Sequence, residues 1–545
     1  MKYKKLIFIC VICVILELIM ELLLPLILSD TINVGILNNN SSYIIRNILI
    51  MILVLIIGII GSISSTYISS VISSNISYEI RNKIINKVLK IKYQDVDSIN
   101  IGHTVTLITN DIVNIENIIF LILKILVKVP LIIIGSILLC LTISIKMSSI
   151  LLIIIPIIIV ISIIFIKKTY PYFNLTSISL DNINSNVREN ILNIKLVKSE
   201  VKEKYEIKKF DKNNLEYKNI DTKALKTISL MMPLIMFVIN IAIILILVYS
   251  KYNNIKIGTV TAFIEYINLL LVSIVSTSMI FLLTIQSSVS IKRIKELLKL
   301  KEEQLSTGIT KKIEGLIEFK NVYFSYNKKY NLENINFKIN KGEKVAIVGT
   351  SGSGKTTLIN LIKKNYEITK GEILIDDINI DKYDLKYLKE KILIVNQKAN
   401  LFKNTINNNL KYNKHIDINQ YIDLTLSNKI DKKIIEQNGK NLSGGERQRL
   451  ILARTLIQEP SILILDDSLN ALDLKTEEKI ISNILNKYKE KTIIFITSRI
   501  KSIKEFDKIL LLDNGKIKGI GNHQELMKNP IYKELYSIGS DISWT

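Results

Sequence analysis

Two hydrophobic patterns divide the chain near residue 292. Before that point, long uninterrupted apolar runs alternate with polar stretches; after it, short β-branched runs alternate with stretches rich in Lys and Glu. Apolar runs of about 20 residues are typical of membrane-spanning helices, and short strands alternating with helical segments are typical of a largely parallel sheet. The pattern therefore predicts a multi-domain membrane protein, with an α-helical transmembrane domain followed by an α/β domain.

The apolar half predicts six membrane helices. The first run, after MKYKK, is longer than the core of a signal peptide and lacks a small-residue cleavage site, so we expect it to remain as a span. The predicted spans are residues 6–28, 48 to about 68, about 129 to 145, 150–166, 228–248 and about 260 to 283. Together with their loops they define a predicted transmembrane domain at 1–300, and the α/β domain is expected at 313–545.

The positions of Lys and Arg predict the orientation of these spans. One side of the membrane carries a cluster of basic residues, including Lys2, Lys4, Lys5, Arg81, Lys167, Lys168, Lys292 and Arg293. The opposite loops carry only Arg46, Lys146, Lys251 and Lys256. By the positive-inside rule, both termini and the α/β domain are expected in the cytoplasm of a multi-pass plasma-membrane protein. The two long connections, 69–128 and 167–226, lie on that same side.

Composition narrows the classes of partner. The net charge of +23 is compatible with nucleic acid or with a membrane surface. The basic residues flank apolar runs and do not form a stripe with aromatic residues, so we expect membrane lipid and no nucleic acid as a partner. The three cysteines all lie inside apolar runs and are interpreted as small buried hydrophobic residues.

A glycine-rich segment, GTSGSGKTT at 349–357, follows the predicted strand 344–348 and begins a helix. Glycines in that position allow backbone N–H groups to cradle phosphate at a helix N-terminus, with the lysine reaching the β- and γ-phosphates and a hydroxyl reaching Mg²⁺. The predicted ATP-binding residues here are Gly349, Thr350, Ser351, Gly352, Ser353, Gly354, Lys355, Thr356 and Thr357.

A second motif, SILILDD at 461–467, is predicted to form an apolar strand that ends in two carboxylates. Asp466 is expected to hold Mg²⁺ together with Thr356. A phosphate loop combined with an acidic strand end predicts nucleoside triphosphate binding, without saying how the energy is used.

The segment NLSGGERQR at 441–449 is more specific. LSGGERQR resembles the signature motif of ABC ATPases, which clamps the γ-phosphate held by the opposite subunit. The resemblance implies an α/β P-loop nucleotide-binding domain with a helical subdomain, ATP and Mg²⁺ as cofactors, and a dimer. Its candidate residues here are Ser443, Gly444, Gly445 and Glu446.

Other segments resemble the same family in order along the chain. Tyr326 resembles the aromatic residue that stacks on adenine, and Gln397 resembles the glutamine that contacts Mg²⁺ and the coupling helices. NALD at 470–473 resembles the loop that crosses the dimer interface. Residues 93–112 and 188–200 resemble the two intracellular loops of the exporter (type IV) class, so the resemblance covers essentially the whole chain.

Two hydrolytic positions depart from that pattern. The residue after the Mg²⁺ aspartate is usually a glutamate that polarises water, and here it is Asp467. The usual switch histidine is Ser498. A carboxylate displaced by about 1 Å costs on the order of 100-fold in rate, and loss of an imidazole at the γ-phosphate removes a further stabilising group. Asp467, Gln397 and Ser498 are thus the candidate catalytic residues of an impaired site.

The sequence favours one half of a dimeric ABC exporter, in which a small molecule, peptide, lipid or drug-like amphiphile is the cargo. A heterodimer with a second half-transporter is preferred, because this chain has an intact signature beside weakened hydrolytic positions; a homodimer is the other arrangement. The alternative function is a catalytically weak ATP-binding regulator that transports nothing. An importer is less favoured, because no binding-protein domain accompanies the six spans.

Two carboxylates lie inside the first predicted span. Glu17 and Glu21 are four residues apart, so they share a helix face. An intramembrane carboxylate is costly and points to a functional site. Two interpretations remain open at this point: the pair lines a pathway for cationic or amphipathic cargo, or it is a structural partner of Lys124 or Lys128.

Overall fold

The fold consists of two compact units. The computed structural model describes residues 3–96, 99, 101–303, 305, 308–327, 329–396, 400–411, 417–428, 430, 434–497 and 499–541. One unit comprises Met1–Leu89 with Ile99–Leu300, and the other comprises Lys90–Ser98 with Lys301–Thr545. The first is helical and the second is α/β, which confirms the predicted fold class.

The first unit is built from long helices. Its principal α-helices are α1 (Lys4–Asp30), α2 (Ser41–Lys90), α4 (Ile101–Thr106), α5 (Ile112–Leu121), α6 (Val127–Ile143), α7 (Ile145–Leu192), α8 (Ile194–Ser199), α9 (Glu203–Ser229), α10 (Met231–Tyr252) and α11 (Ile257–Lys299). The short helix α3 (Tyr93–Val96) belongs to the second unit. Wider π-helical turns occur at Thr31–Ile36, Leu107–Asp111 and Ile122–Leu126.

Six of these helical stretches, counted within the described residues, are long and apolar enough to cross a bilayer, as predicted. They are Lys4–Ile36, Ser41–Lys90, Thr104–Ile143, Ile145–Leu192, Glu203–Tyr252 and Ile257–Thr277. A helix satisfies its backbone N–H and C=O groups internally, which a hydrocarbon environment requires. Several helices continue well beyond their apolar run; α2, for example, has 50 residues.

The core of the helical unit lies where α11 meets α1, α6 and α10. Phe263 and Tyr266 of α11 are fully buried there beside Ile235 of α10. The Tyr266 hydroxyl donates a hydrogen bond to the Leu22 carbonyl over 2.8 Å. This bond satisfies a buried hydroxyl and joins the first and last spans of the unit.

The second unit contains three sheets among its described residues. The strands are β1 (Ile317–Phe324), β2 (Leu332–Ile339), β3 (Lys344–Val348), β4 (Lys370–Ile375), β5 (Ile378–Asn379), β6 (Ile392–Val395), β7 (Asn404–Thr405), β8 (Ile434–Ile435), β9 (Ile462–Asp466), β10 (Thr492–Ile496), β11 (Lys508–Asp513) and β12 (Lys516–Gly521). An antiparallel sheet has the order β2-β1-β4-β5, and β7 pairs with β8. The main sheet has the order β12-β11-β3-β10-β9-β6, and all its pairings except β11–β12 are parallel.

Helices cover this unit on both sides of the main sheet. They are α12 (Lys355–Ile362), α13 (Leu385–Lys391), α14 (Ile406–Lys411), α15 (Asn419–Leu424), α16 (Gly444–Leu456), α17 (Leu474–Lys487), α18 (His523–Leu526) and α19 (Pro530–Asp541). Along β3, Val345 and Ile347 enter one hydrophobic core, whereas Ala346 and Val348 enter the other. Burial of both faces is typical of parallel sheets and explains the continuous apolar runs of the sequence. α14 and α15 pack on α16 and form a small helical subdomain.

Candidate nucleotide-binding site

The carboxyl ends of three neighbouring strands define one edge of the main sheet. Ile496 at the end of β10 pairs with Asp466 on β9 and with Ile347 on β3. The segments that follow these strands therefore leave the sheet at the same level. In open α/β sheets, ligands bind beside this edge.

The glycine-rich segment forms the turn between β3 and α12. A Cβ atom added to Gly349 would lie 2.0 Å from the Leu512 carbonyl oxygen, so only glycine fits there. Gly354 precedes α12 with a φ angle of 104°, in the left-handed region that favours glycine. The first N–H groups of α12 have no partner within the helix and are available to an anion.

Lys355 and Ser353 point to an anionic ligand in this turn. The Lys355 ammonium donates to the Gly349 and Thr350 carbonyl oxygens, each over 2.8 Å. Burial lowers the pKa of Lys355, and the nearby charges of Asp467 and Asp466 oppose that effect. The Ser353 hydroxyl oxygen is buried and has no hydrogen-bond partner among the described residues. An unsatisfied hydroxyl in a loop with free N–H groups fits a phosphate oxygen.

Asp466 occupies the last position of β9. Burial raises its pKa to about 6, and the neighbouring Asp467 carboxylate acts in the same direction. Lys355 and a side-chain hydrogen bond with Thr356 lower that pKa. A carboxylate and a hydroxyl in contact are hard oxygen ligands of the kind that Mg²⁺ binds. The residues present thus fit the metal that accompanies a nucleotide.

Asp467 begins the turn after β9 in a strained conformation. Its φ angle is +46°, in the left-handed region that is uncommon for residues other than glycine. The Asn470 side-chain amide donates to Asp467 Oδ1 over 3.0 Å, and the Asp467 N–H donates to the Ile496 carbonyl over 3.0 Å. These two bonds fix the direction of the carboxylate and satisfy the backbone of the turn.

Tyr326 lies after β1 with its ring half exposed. The ring packs edge-on against Phe324, at 4.8 Å between centroids, and against Tyr366, at 5.0 Å. Its hydroxyl lies 3.4 Å from the Thr357 hydroxyl, one turn along α12. An exposed aromatic face, held by its neighbours beside the glycine-rich turn, is suited to stacking on a base.

The signature segment forms the N-terminus of α16. The Ser443 side chain accepts from the Glu446 N–H over 3.2 Å, and the Glu446 carboxylate accepts from the Ser443 N–H over 2.8 Å. This reciprocal capping box explains the serine and the glutamate three residues apart. Cβ atoms on Gly444 and Gly445 would lie 3.3 Å from the Ala471 Cβ and 2.9 Å from the Leu472 side chain. Both glycines therefore allow the loop 470–473 to approach α16 closely.

Arg499 holds that loop in place, a role that the sequence did not reveal. Its guanidinium donates to the Asn470 carbonyl over 2.9 Å and to the Leu472 carbonyl over 3.2 Å. It also pairs with Glu477, a carboxylate only 1% exposed. The pKa of Glu477 is raised by burial and lowered by Arg499. The sequence signal that could have pointed to this role is the arginine directly after Ser498. Its partners could not be identified from the sequence, because they lie 22 to 29 residues away in the chain.

The structure brings most of the predicted ATP-binding residues to one edge of the main sheet. Thr350 donates to Asp513 over 3.2 Å, and Ser351 and Gly352 are exposed at the tip of the turn. The signature residues contact the loop 470–473 of the same chain. Gln397 and Ser498, two of the predicted catalytic residues, lie outside the described residues.

Comparison with known proteins identifies the family. The family model described as the ABC transporter transmembrane region matches residues 7–275, and the one described as ABC transporter matches residues 332–470. An uncharacterized ABC transporter ATP-binding protein of Bacillus subtilis is 32% identical over 451 residues, 79% of this chain and 78% of that protein. An ATP-dependent lipid A-core flippase of Wigglesworthia glossinidia brevipalpis is 33% identical over 73% of this chain and 72% of that protein.

A further curated relative and a solved structure agree with this assignment. A multidrug resistance-like ATP-binding protein of Buchnera aphidicola is 33% identical over 71% of this chain and 70% of that protein. A bacterial Atm1-family ABC exporter with ATP bound has the same fold, with a TM-score of 0.86, 19% identity and coverage of 100% of this chain and 99% of that one. The chain therefore belongs to the ABC transporter family, as a multi-pass membrane protein with fused transmembrane and ATP-binding domains and the exporter fold.

Proposed function

We propose that this protein is one half of a dimeric exporter that uses ATP to move a peptide, a lipid or a drug-like amphiphile across the plasma membrane. The observation that carries the proposal is the glycine-rich turn that holds Lys355 within electrostatic reach of Asp466 and Asp467 at one sheet edge, in a chain whose described residues include six apolar spans. Both termini and the domain at 313–545 are assigned to the cytoplasm, on the basis of the Lys and Arg distribution.

Each predicted residue has a defined part in this proposal. Lys355 and the N–H groups of the glycine-rich turn bind the phosphates, and Tyr326 stacks on the base. Asp466, Thr356 and Gln397 hold Mg²⁺, which supplies charge neutralisation at the phosphate oxygens. Ser443, Gly444, Gly445 and Glu446 complete the nucleotide site of the other subunit, in which the N-terminus of α16 faces the γ-phosphate.

In this proposal the two nucleotide sites of the dimer hydrolyse ATP at different rates. Asp467 carries its carboxylate one methylene short of a glutamate, and the Asn470 amide binds that carboxylate. With Ser498 in place of a histidine, the site on this chain binds ATP and hydrolyses it slowly. The signature of this chain completes a competent site on a partner that supplies the glutamate and the histidine. A heterodimer is the arrangement that uses both features.

A second candidate function is a regulator that binds ATP and transports nothing. The restrained Asp467 carboxylate favours it, because slow hydrolysis gives a long-lived nucleotide-bound state. Inverted membrane vesicles that contain this chain and its partner subunit separate the two functions. We expect ATP-dependent uptake of an amphiphilic substrate that is lost with Lys355→Ala; normal nucleotide binding without any uptake would favour the regulator.

A further inference from the structure

The DNG turn, residues 513–515, joins β11 to β12 and packs against the glycine-rich turn of the nucleotide site. Asp513 pairs with Lys516 across this hairpin, so Asn514 and Gly515 form a two-residue loop. Both have left-handed φ angles, 47° and 73°, as the common two-residue hairpin turn requires. The turn thus has a defined backbone conformation and can support the segments that it contacts.

Two hydrogen bonds join the DNG turn to the glycine-rich turn. The Gly515 N–H donates to the Ser353 carbonyl over 3.0 Å, and the Thr350 hydroxyl donates to Asp513 Oδ1 over 3.2 Å. The other carboxylate oxygen of Asp513 accepts from the Asn514 amide over 3.0 Å, which fixes the direction of the carboxylate. The DNG turn therefore holds both the backbone and one side chain of the segment that is expected to bind phosphate.

The DNG turn also contacts Asn331, at the start of β2. The Glu333 N–H donates to the Gly515 carbonyl over 2.8 Å. A Cβ atom added to Gly515 would lie 2.5 Å from the Asn331 carbonyl oxygen, so only glycine allows this approach. A Cβ atom on Gly354 would lie 3.4 Å from the same oxygen. The Asn331 backbone is therefore close to both the DNG turn and the start of α12.

The side chain of Asn331 holds the segment that carries Tyr326. Its Oδ1 atom accepts from the Tyr326 N–H over 3.0 Å, and the Asn331 N–H donates to the Phe324 carbonyl over 2.8 Å. These two bonds close the connection between β1 and β2, from which the half-exposed Tyr326 ring projects. Packing on Phe324 and Tyr366 orients the ring, whereas Asn331 fixes the backbone to which the ring is attached.

We infer that Asn331 and Asp513 are positioning residues of the nucleotide site and that the DNG turn connects them. Asn331 acts on the base through Tyr326, and Asp513 acts on the phosphates through Thr350. Because Asn331 contacts the DNG turn and Asp513 belongs to it, the base-stacking ring and the phosphate loop are held at a fixed separation. This separation favours a ligand that carries a base and phosphates together. The inference rests on the proposed ATP-binding function and adds two residues that lie outside its motifs.

Calorimetric titration of the full-length chain in lipid nanodiscs with ATP and with inorganic triphosphate, each with Mg²⁺, separates the two effects. Inorganic triphosphate has the phosphates without the base, so it reports on the phosphate loop alone. Asn331→Ala should lower the affinity for ATP by about fivefold, the effect of one net hydrogen bond, and leave the affinity for triphosphate within about twofold. Asn331→Asp keeps the side-chain oxygen and should retain the ATP affinity within about twofold.

The Asp513 variants test the phosphate end of the site. Asp513→Asn keeps an oxygen that can accept from Thr350 and removes the charge, so it is the matched control for Asp513→Ala. Relative to Asp513→Asn, Asp513→Ala should lower the affinities for ATP and for triphosphate by the same factor, about fivefold. A merely structural role would not produce this division, because loss of folded protein reduces the binding of both ligands in every variant.

An equal loss of both ligands in Asn331→Ala, an unchanged ATP affinity in that variant, or equal affinities in Asp513→Ala and Asp513→Asn would overturn the inference. If Asn331→Ala does not fold, Asn331→Gln takes its place, since the longer side chain moves the oxygen away from the Tyr326 N–H. It should show the same selective loss of ATP affinity. Absence of ATP binding by the unmodified chain would instead contradict the proposed function, on which the inference rests.

Discussion

The side-chain amide of Asn470 donates a hydrogen bond to the Asp467 carboxylate over 3.0 Å. Asp467 is the residue after the last strand position of β9, and its φ angle of +46° is uncommon for an aspartate. In the proposed nucleotide site we expect this side chain, which is short and already hydrogen-bonded, to reach poorly towards a water molecule at the γ-phosphate. The contact thus links the loop 470–473 to the position that the family normally uses to polarise water.

Lengthening the carboxylate and restoring an imidazole should therefore speed hydrolysis. We expect Asp467→Glu combined with Ser498→His to raise ATP turnover of the purified full-length chain by about 10- to 100-fold, since placement within about 1 Å has an effect of that order. Asn470→Ala alone frees the carboxylate without lengthening it and should change turnover by less than about threefold. A larger gain in Asn470→Ala than in the double variant would show that the hydrogen bond, rather than the length, limits the rate.

Mg²⁺-dependent nucleotide binding should weaken at mildly acidic pH. Burial raises the pKa of Asp466 to about 6, so this carboxyl is protonated in the folded protein at pH values where an exposed aspartate is still charged. A metal ligand must be deprotonated. The affinity for Mg-ATP should be constant above the pKa and fall by about tenfold for each pH unit below it.

Equilibrium binding of ATP with and without Mg²⁺ from pH 5 to 8 checks this expectation, because binding without the metal does not need the carboxylate. Asp466→Asn should abolish the difference between the two curves. A Mg²⁺-dependent affinity that stays flat to pH 5 would contradict the raised pKa.

Tyr326→Ala should weaken ATP binding about tenfold or more, because base–aromatic stacking contributes about 1–3 kcal/mol on removal of the ring. Tyr326→Phe keeps the ring and loses only the 3.4 Å contact between the tyrosine and Thr357 hydroxyls. Its ATP affinity should stay within about twofold of the unmodified value. Titration of the full-length chain with a fluorescent ATP analogue measures the affinities of both variants. Equal losses in the two variants would assign the effect to the hydroxyl.

The pair between Arg499 and Glu477 should contribute to stability. Glu477→Gln removes a buried carboxylate and leaves the guanidinium without its anionic partner, so we expect the thermal midpoint of the full-length chain to fall by about 5 °C. Glu333→Gln is the control, because its pair with Lys516 is solvent-exposed and contributes little. Its midpoint should shift by no more than about 1 °C. Similar shifts in both variants would show that burial of Glu477 has no particular role.

Much of the fold follows from local patterns in the sequence. Long apolar runs predicted the six spans, and the alternation of short strands with helical segments predicted the α/β unit; both are confirmed. The glycine-rich turn and Asp466 were recognisable because each motif is continuous in the chain and follows directly from one strand. The roles of these residues in ATP binding remain predictions.

Other contacts could not be predicted, because most of them join residues far apart in the chain and one depends on an unusual backbone conformation. Lys128 pairs with both carboxylates of the first span, which is the structural interpretation of that pair. Lys128 lies 107 residues from Glu21, and helical periodicity does not say which lysine of the third span meets that carboxylate. Arg499 binds a loop that precedes it by two secondary-structure elements. The hydrogen bond between Asn470 and Asp467 is local, but it depends on the left-handed backbone conformation of Asp467. No glycine at this position indicates that conformation in the sequence. For Lys128 and Arg499 the packing of the elements, rather than any motif, determines the partner.

The rate of ATP hydrolysis by the purified full-length chain, measured without a partner subunit, tests the central claim most directly. In the proposed heterodimer this chain supplies a site that binds Mg-ATP and a signature that completes the other site. The chain alone should therefore bind Mg-ATP through Lys355, as shown by loss of binding in Lys355→Ala, while its turnover stays far below about 1 s⁻¹. Rapid hydrolysis by the unmodified chain alone, abolished by Lys355→Ala, would contradict the proposal that this chain supplies a slow site and a different subunit supplies the competent one.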